Sequence, residues 1–253
     1  MKIKVLGSAI DGADHQFAAS SVINDTVAID AGAIGFSSLA CQKKIRHVFI
    51  THSHLDHIAS LPIFLDNIFE PGPDSVSVYG SLETLQTLRE CFFNDKVWPD
   101  VLRLEEREGS SFVRLVAIDE ERPIEVDGLK ITPVALDHNV PTLGFLIDDG
   151  TSAVAMISDT GPTHRVWEVC NQCARLKAVF VESAFPNRMW QLAEKACHLT
   201  PKLLFEEQQK LDANVPLIAV HIKPAFYDEV VGELRELNLP SLEVSASGRE
   251  YSF

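Results

Sequence analysis

Thr51-His52-Ser53-His54-Leu55-Asp56-His57 places three imidazoles and one carboxylate within the six residues from His52 to His57. Apolar residues precede the stretch (Val48, Phe49, Ile50) and an apolar-periodic run follows it (Ile58, Leu61, Ile63, Phe64, Leu65), so it sits where a buried strand passes into a helix. Neutral imidazole and carboxylate together suit zinc or another first-row divalent ion. Alternate residues of an extended segment point the same way, so His52 and His54 can share one ion. Asp56 and His57, on the turn that opens the helix, are then free for a second ion close by. The cluster predicts a metal site.

Composition bounds the rest. A chain of 253 residues with 46% hydrophobic content can bury one substantial core, and a single domain over residues 1–253 is expected. The 22 basic and 36 acidic residues leave a formal charge of −14. That balance argues against a surface built for a nucleic-acid polymer, which clustered Lys and Arg would hold. A small anionic substrate fits it, because bound ions supply positive charge locally.

Met1-Lys2-Ile3-Lys4-Val5-Leu6 lacks the long apolar core of a signal peptide and reads as a first strand. No run of eighteen apolar residues predicts a membrane span, so no membrane partner and a cytoplasmic location are expected. The five cysteines (Cys41, Cys91, Cys170, Cys173, Cys197) are odd in number and scattered, which fits reduced thiols. Cys170 and Cys173 form a lone C-x-x-C, read as core packing on a helix over Val166 to Leu176.

Further along, Ser21 to Ile23 and Thr26 to Asp30 read as strands about an Asn24-Asp25 turn, with a helix around Phe36 to Gln42. Strand Val48 to Thr51 delivers the histidines, and a helix over Leu55 to Asp66 leads into the Pro71-Gly72-Pro73-Asp74 loop. Strand Ser75 to Tyr79 and helix Leu82 to Phe93 repeat the alternation, and charged Asp95 to Gly109 reads as a surface excursion near the site. Phe112 to Ala117 follows as a strand. Hairpins turn at Asp127-Gly128 (Ile124 to Val126, Leu129 to Leu136) and Asp149-Gly150 (Thr142 to Ile147, Ser152 to Ser158). Strands Ala178 to Val181, Leu217 to His221 and Leu242 to Ser245 then alternate with helices over Trp190 to Cys197, Pro201 to Leu211 and Phe226 to Leu237. Two halves of strands and flanking helices predict an α/β fold of two packed sheets with helices outside.

His138, Asp159 and His221 each end a predicted strand, where loops leave a rigid scaffold. Added to the first cluster they complete a count: His52, His54, His138, Asp159, Asp56, His57 and His221 give two divalent ions four contacts each if Asp159 bridges.

The H-x-H-x-D-H motif, the strand-end His, Asp and His, and the early Asp30-Ala31-Gly32 turn resemble the metallo-β-lactamase superfamily over nearly the whole chain. The resemblance implies a four-layer αββα sandwich of two mixed sheets, with a dinuclear site at its edge. Within it, His138-Asn139-Val140-Pro141-Thr142-Leu143-Gly144-Phe145, Glu182-Ser183-Ala184-Phe185-Pro186-Asn187, His198-Leu199-Thr200-Pro201 and His221-Ile222-Lys223-Pro224 are similar to the class II cyclic-nucleotide phosphodiesterases. That likeness implies hydrolysis of 3′,5′-cyclic AMP or cyclic GMP to the 5′-nucleotide by a metal-bridging hydroxide, with two Zn²⁺ ions, or Mn²⁺ or Fe²⁺ in their place. A small-molecule phosphodiester is the expected partner, and a homodimer is left open.

Phosphodiester hydrolysis also needs help for the departing alkoxide. His198, outside the seven ligands, is the expected proton donor, with Glu182 orienting and charging its ring. Asp56 joins them as a catalytic-site residue through the metals. Asp30 is expected to accept a hydrogen bond from a ligating His or to serve the turn alone; Lys223 could place an ammonium near the phosphate or stay solvated; Phe185, Phe145 and Trp190 could line a slot for a purine by stacking, with core packing the favoured role for any one of them. The competing readings are a transfer-RNA 3′-processing endonuclease, which shares the Glu182 and His198 pattern and the phosphodiester chemistry but would call for a basic surface and an RNA-gripping arm; a thioester, lactone or β-lactam hydrolase, which has no obvious need of the Glu182 and His198 pair; and a non-catalytic metal-binding module, which a missing ligand would betray.

Overall fold

The structure, a computed structural model, describes residues 1–7, 18–70, 76–104 and 112–253. Among the described residues two seven-stranded sheets face each other. The first comprises β1 (Lys2–Gly7), β2 (Ser20–Ile23), β3 (Val27–Ile29), β4 (His47–Phe49), β5 (Val76–Gly80), β6 (Val113–Ala117) and, at the opposite edge, β14 (Glu250–Ser252). The second comprises β7 (Ile124–Val126), β8 (Leu129–Leu136), β9 (Thr142–Asp148), β10 (Ala153–Met156), β11 (Leu176–Glu182), β12 (Leu217–Val220) and β13 (Leu242–Val244). Both are mixed, with antiparallel pairs at one side and parallel pairs at the other.

Period-two alternation sorts the apolar side chains into three cores. Ala178 and Phe180 of β11 join Ile29, Phe49, Ile131 and Ile147 between the sheets, while Val179 and Val181 turn outward. Outside the first sheet pack α1 (Leu39–Gln42), α2 (Leu55–Ile58), α3 (Leu61–Asn67) and α4 (Leu82–Cys91), through Ile58, Leu61, Phe64, Leu85 and Leu88. Outside the second lie α5 (Arg165–Asn171), α6 (Trp190–Lys195), α7 (Pro201–Gln208) and α8 (Tyr227–Glu236), where Trp167, Leu204, Val230 and Leu234 are buried. Sheet on sheet with helices on both outer faces is the four-layer αββα sandwich.

The turns follow local chemistry. Asp127 (φ 48°) and Gly128 (φ 76°) both take left-handed backbone, as a two-residue hairpin demands. Asn24 and Asp25 do the same without glycine, which short polar side chains tolerate. Helix α7 opens on Thr200, whose hydroxyl accepts from Leu203 N–H at 3.4 Å, with Pro201 at the first helical position.

Four expectations differ from the structure. The helix over Leu55 to Asp66 is two helices, α2 and α3, because Pro62 has no N–H to continue the first. Ser60 at the break donates to Ala31 O at 2.7 Å and accepts from Gly35 N–H at 2.9 Å. The helix over Phe36 to Gln42 is reduced to α1, with a 3₁₀ turn before it at Ile34–Phe36. Helix α5 ends at Asn171, so Cys173 lies on the following turn. Strand β14 was not anticipated; it pairs antiparallel with β1 and closes the first sheet's edge. The Pro71 to Asp74 loop and the later part of the Asp95 to Gly109 excursion lie outside the described residues; the earlier part carries a 3₁₀ turn at Val101–Leu104. No described helix is long and apolar enough to cross a membrane.

Candidate metal centre

The site assembles at one edge of the sandwich from the ends of strands in both sheets. After β4 the chain stays extended through His54 and then turns into α2, which delivers His52, His54, Asp56 and His57. The second sheet delivers His138 after β8, Asp159 after β10, Glu182 at the end of β11 and His221 after β12. His221 holds left-handed backbone at φ 54°, as does Asp30 at φ 61°. Such strain persists where surrounding structure over-determines it, and it clusters at functional sites.

Asp159 is the centre of the arrangement. One of its oxygens lies 3.2 Å from His221 Nε2 and 3.9 Å from the Nε2 atoms of His52, His138 and His198; the other lies 3.4 Å from His57 Nε2. His221 Nε2 is 3.6 Å from an Asp56 oxygen, and His54 Nδ1 is 3.2 Å from His138 Nε2. The donors fall into sets whose atoms could each surround one ion: His52, His54, His138 and Asp159; Asp56, His57 and His221; and Asp159 again with Glu182 and His198. All seven residues expected as ligands are brought together.

Donor chemistry and burial both suit metal. His52 Nε2, His57 Nε2 and Asp159 Oδ1 are buried with no hydrogen-bond partner, a costly state unless another group satisfies them. Burial holds His52, His54 and His138 below the ordinary imidazole value, and so in the neutral form that ligates metals. Burial opposes the charge on Asp159, but His221 and His57 outweigh it and the carboxyl lies well below its usual range. Burial likewise opposes a proton on His57, yet Asp159 and Asp30 hold its pKa well above the ordinary value. This field favours cations.

Around the donors lies a hydrogen-bonded frame. Asp30 accepts from His57 Nδ1 at 2.7 Å and from the Thr51 amide and hydroxyl at 2.8 and 2.9 Å. Thr51 Oγ1 is also 3.0 Å from His52 Nδ1 and accepts from Ser158 at 3.1 Å. Sequence reasoning gave no role to Thr51 or Ser158, although Thr51 opens the motif. Beside the cluster, His198 Nδ1 lies 2.8 Å from Glu182 Oε1. Glu182 is fully buried and accepts from the amides of Thr160, Ala184 and Leu199 at 2.8, 3.2 and 3.2 Å. Burial opposes a proton on His198, but the Glu182 hydrogen bond and the charges of Glu182 and Asp159 raise its pKa. Burial also pushes the Glu182 carboxyl up.

Of the outer residues, Lys223 reaches the site, with Nζ 3.6 Å from Asp56 Oδ2. Half-buried Phe185 packs its ring 5.5 Å from that of His198. Of the other two aromatics, Phe145 takes the favoured core-packing role and Trp190 does not. Phe145 is buried between the sheets against Phe49, because its position in β9 faces inward. Trp190 is 54% exposed and lines a separate cavity of about 680 Å³ with Asp137, Cys197 and Lys202.

Comparison with known proteins meets this geometry. Residues 33–222 match the family described as the beta-lactamase superfamily domain. The chain belongs to the metallo-β-lactamase superfamily. A relative from Yersinia pestis named probable 3′,5′-cyclic-nucleotide phosphodiesterase is 26% identical over 230 residues, 80% of this chain and 63% of that protein. Ribonuclease Z of Staphylococcus haemolyticus is 29% identical over 110 residues, 43% of this chain and 33% of its own. Unliganded yeast PDE1 superposes with a TM-score of 0.80 at 19% identity, covering 98% of both chains, and shares the superfamily fold. The chain thus spans under two thirds of these curated relatives' lengths.

Proposed function

We propose that this superfamily member is a two-metal phosphodiesterase that opens 3′,5′-cyclic nucleotides, cyclic AMP or cyclic GMP, to the 5′-nucleotide. The observation that carries the reading is His198: an imidazole held by a buried carboxylate, facing Asp159, which touches both donor sets, at 3.9 Å, and outside the seven donors. A departing 3′-alkoxide needs a proton, and His198 is placed to give it. The name of the Yersinia relative supports the substrate.

His52, His54 and His138 with Asp159 would hold one ion, and Asp56, His57 and His221 with Asp159 the other; Zn²⁺ suits the donors, with Mn²⁺ or Fe²⁺ as alternatives. Divalent ions bound there supply Lewis acidity at the phosphoryl group and make a water nucleophile usable at neutral pH. The protein's own groups do the rest. As the water oxygen joins phosphorus and the P–O3′ bond breaks, His198 passes its Nε2 proton to the 3′-oxygen. Glu182 holds Nδ1, keeps the ring aimed, and favours its charged form. Lys223 faces the phosphate, and Phe185 flanks the leaving side.

The test is an assay of the purified protein with Zn²⁺ or Mn²⁺ against cyclic AMP, cyclic GMP, an aryl phosphodiester, a precursor transfer RNA and a lactone. Turnover of a cyclic nucleotide is expected. Cleavage of the RNA alone would shift the assignment to a ribonuclease Z-like endonuclease, against which the charge of −14 argues. No phosphodiester turnover with both ions bound overturns the reading.

A further inference from the structure

The turn that closes α6 is a Schellman cap: His198 N–H donates to Ala193 O at 2.9 Å and Cys197 N–H donates to Glu194 O at 3.2 Å. Cys197 takes the left-handed position of that cap at φ 51°, where glycine is the usual occupant. The turn reaches across to the loop after β8 at two points. Cys197 O lies 2.9 Å from His138 Nδ1, and Cys197 Sγ lies 3.4 Å from Asn139 Oδ1.

A carbonyl only accepts, so His138 carries its proton on Nδ1 and presents a bare Nε2. That Nε2 faces His54 Nδ1 at 3.2 Å and Asp159 at 3.9 Å. The turn is also backed from behind. A Cβ on Gly161 would stand 3.6 Å from Cys197 Cα and 3.3 Å from Asp137 Oδ2, and Gly161 N–H donates to Asp137 O at 2.7 Å.

We infer that Cys197 is a positioning residue: its main-chain carbonyl, aimed by a left-handed backbone, selects the tautomer of His138 that can ligate a metal. His198 follows directly in the chain, so one helix cap sets both a ligand and the proposed proton donor. The inference rests on the two-metal reading of the site, though not on its substrate.

Two measurements test it. In metal-free wild-type protein, long-range ¹H–¹⁵N NMR should place the His138 proton on Nδ1; a proton on Nε2 overturns the role. Cys197→Gly keeps both the left-handed backbone and the carbonyl, and should bind Zn²⁺ as the wild type does in competition with a chelator. Cys197→Val, β-branched and disfavoured in that conformation, should weaken one of the two Zn²⁺ ions by roughly 10–100-fold while circular dichroism reports an intact fold. Unchanged Zn²⁺ affinity in a folded Cys197→Val protein overturns the role as well. Should that variant not fold, the wild-type tautomer still decides. Protein that binds two Zn²⁺ ions yet hydrolyses no phosphodiester would sink the proposed function and leave the role of Cys197 standing.

Discussion

His57 and Asp30 are joined by a hydrogen bond of 2.7 Å from the ring's Nδ1 to a carboxylate that Thr51 holds through both its amide and its hydroxyl. The bond leaves Nε2 of His57 as the nitrogen turned to Asp159, and Asp30 sets that orientation. Asp30→Ala is therefore expected to weaken metal binding by roughly 10–100-fold, with Asp30→Asn, which keeps one acceptor oxygen, losing less. Chelator competition measures both; equal affinity in all three proteins would reduce Asp30 to a turn residue.

His198→Ala and Glu182→Gln should each retain both ions and lower turnover, the first by about 10²–10⁴-fold. The pH profile carries a sign. Because Glu182 raises the His198 pKa against the effect of burial, its replacement by Gln lets that pKa fall. The alkaline limb of the rate, where the donor loses its proton, then moves to lower pH. An unshifted limb would remove His198 from the proton transfer.

Metal should stabilise the fold, since three buried polar atoms at the site have no hydrogen-bond partner. A ligand at a hundred times its Kd adds about 2.7 kcal/mol, or roughly 5–10 °C in Tm for a chain of this size. A melt with Zn²⁺ and with excess chelator reads the difference. Asp159→Ala, which touches both donor sets, should abolish most of it.

Thiol labelling distinguishes the cysteines. Burial pushes the Cys170 thiol up to about 12, so it should not react with a thiol reagent at pH 8 until the protein unfolds. Exposed Cys91 should react at once. Rapid labelling of Cys170 in folded protein would contradict its place in the core.

Phe145 and Phe185 separate packing from recognition. Phe145→Ala empties a site between the sheets and is expected to cost about 3–5 kcal/mol, without a change in KM for the folded enzyme. Phe185→Ala should raise KM for a cyclic nucleotide more than for a small diester lacking a base. The reverse pattern would restore Phe145 to the slot.

The clustered histidines and carboxylates are legible because each belongs to a dense motif or ends a strongly apolar strand, and strand ends are visible in local sequence. The sandwich was legible from the same alternation, and the Asp127-Gly128 hairpin from its turn chemistry. What escaped depends on distant partners. Glu250-Tyr251-Ser252 becomes a strand only because β1 offers it an edge, and nothing in three residues announces that. Phe145 looked available for a base because an inward-facing side chain and one facing a cleft have the same local sequence. The break at Ser60 was readable in principle from Pro62, but the apolar periodicity ran through it. The carbonyl of Cys197 is invisible to any reading of side chains, since main-chain atoms carry no sequence signature.

The two sheets divide the chain almost in sequence, β1 to β6 in one and β7 to β13 in the other, with β14 returning to the first. Each of these two donor sets draws on both sheets: His52 and His54 with His138 and Asp159, and Asp56 and His57 with His221. An ion in either place would act as a rivet through the seam, and neither half-chain alone owns enough ligands to retain one. Docking of the two halves and loading of the metals would thus reinforce each other, and the centre would record whether the halves have docked in register.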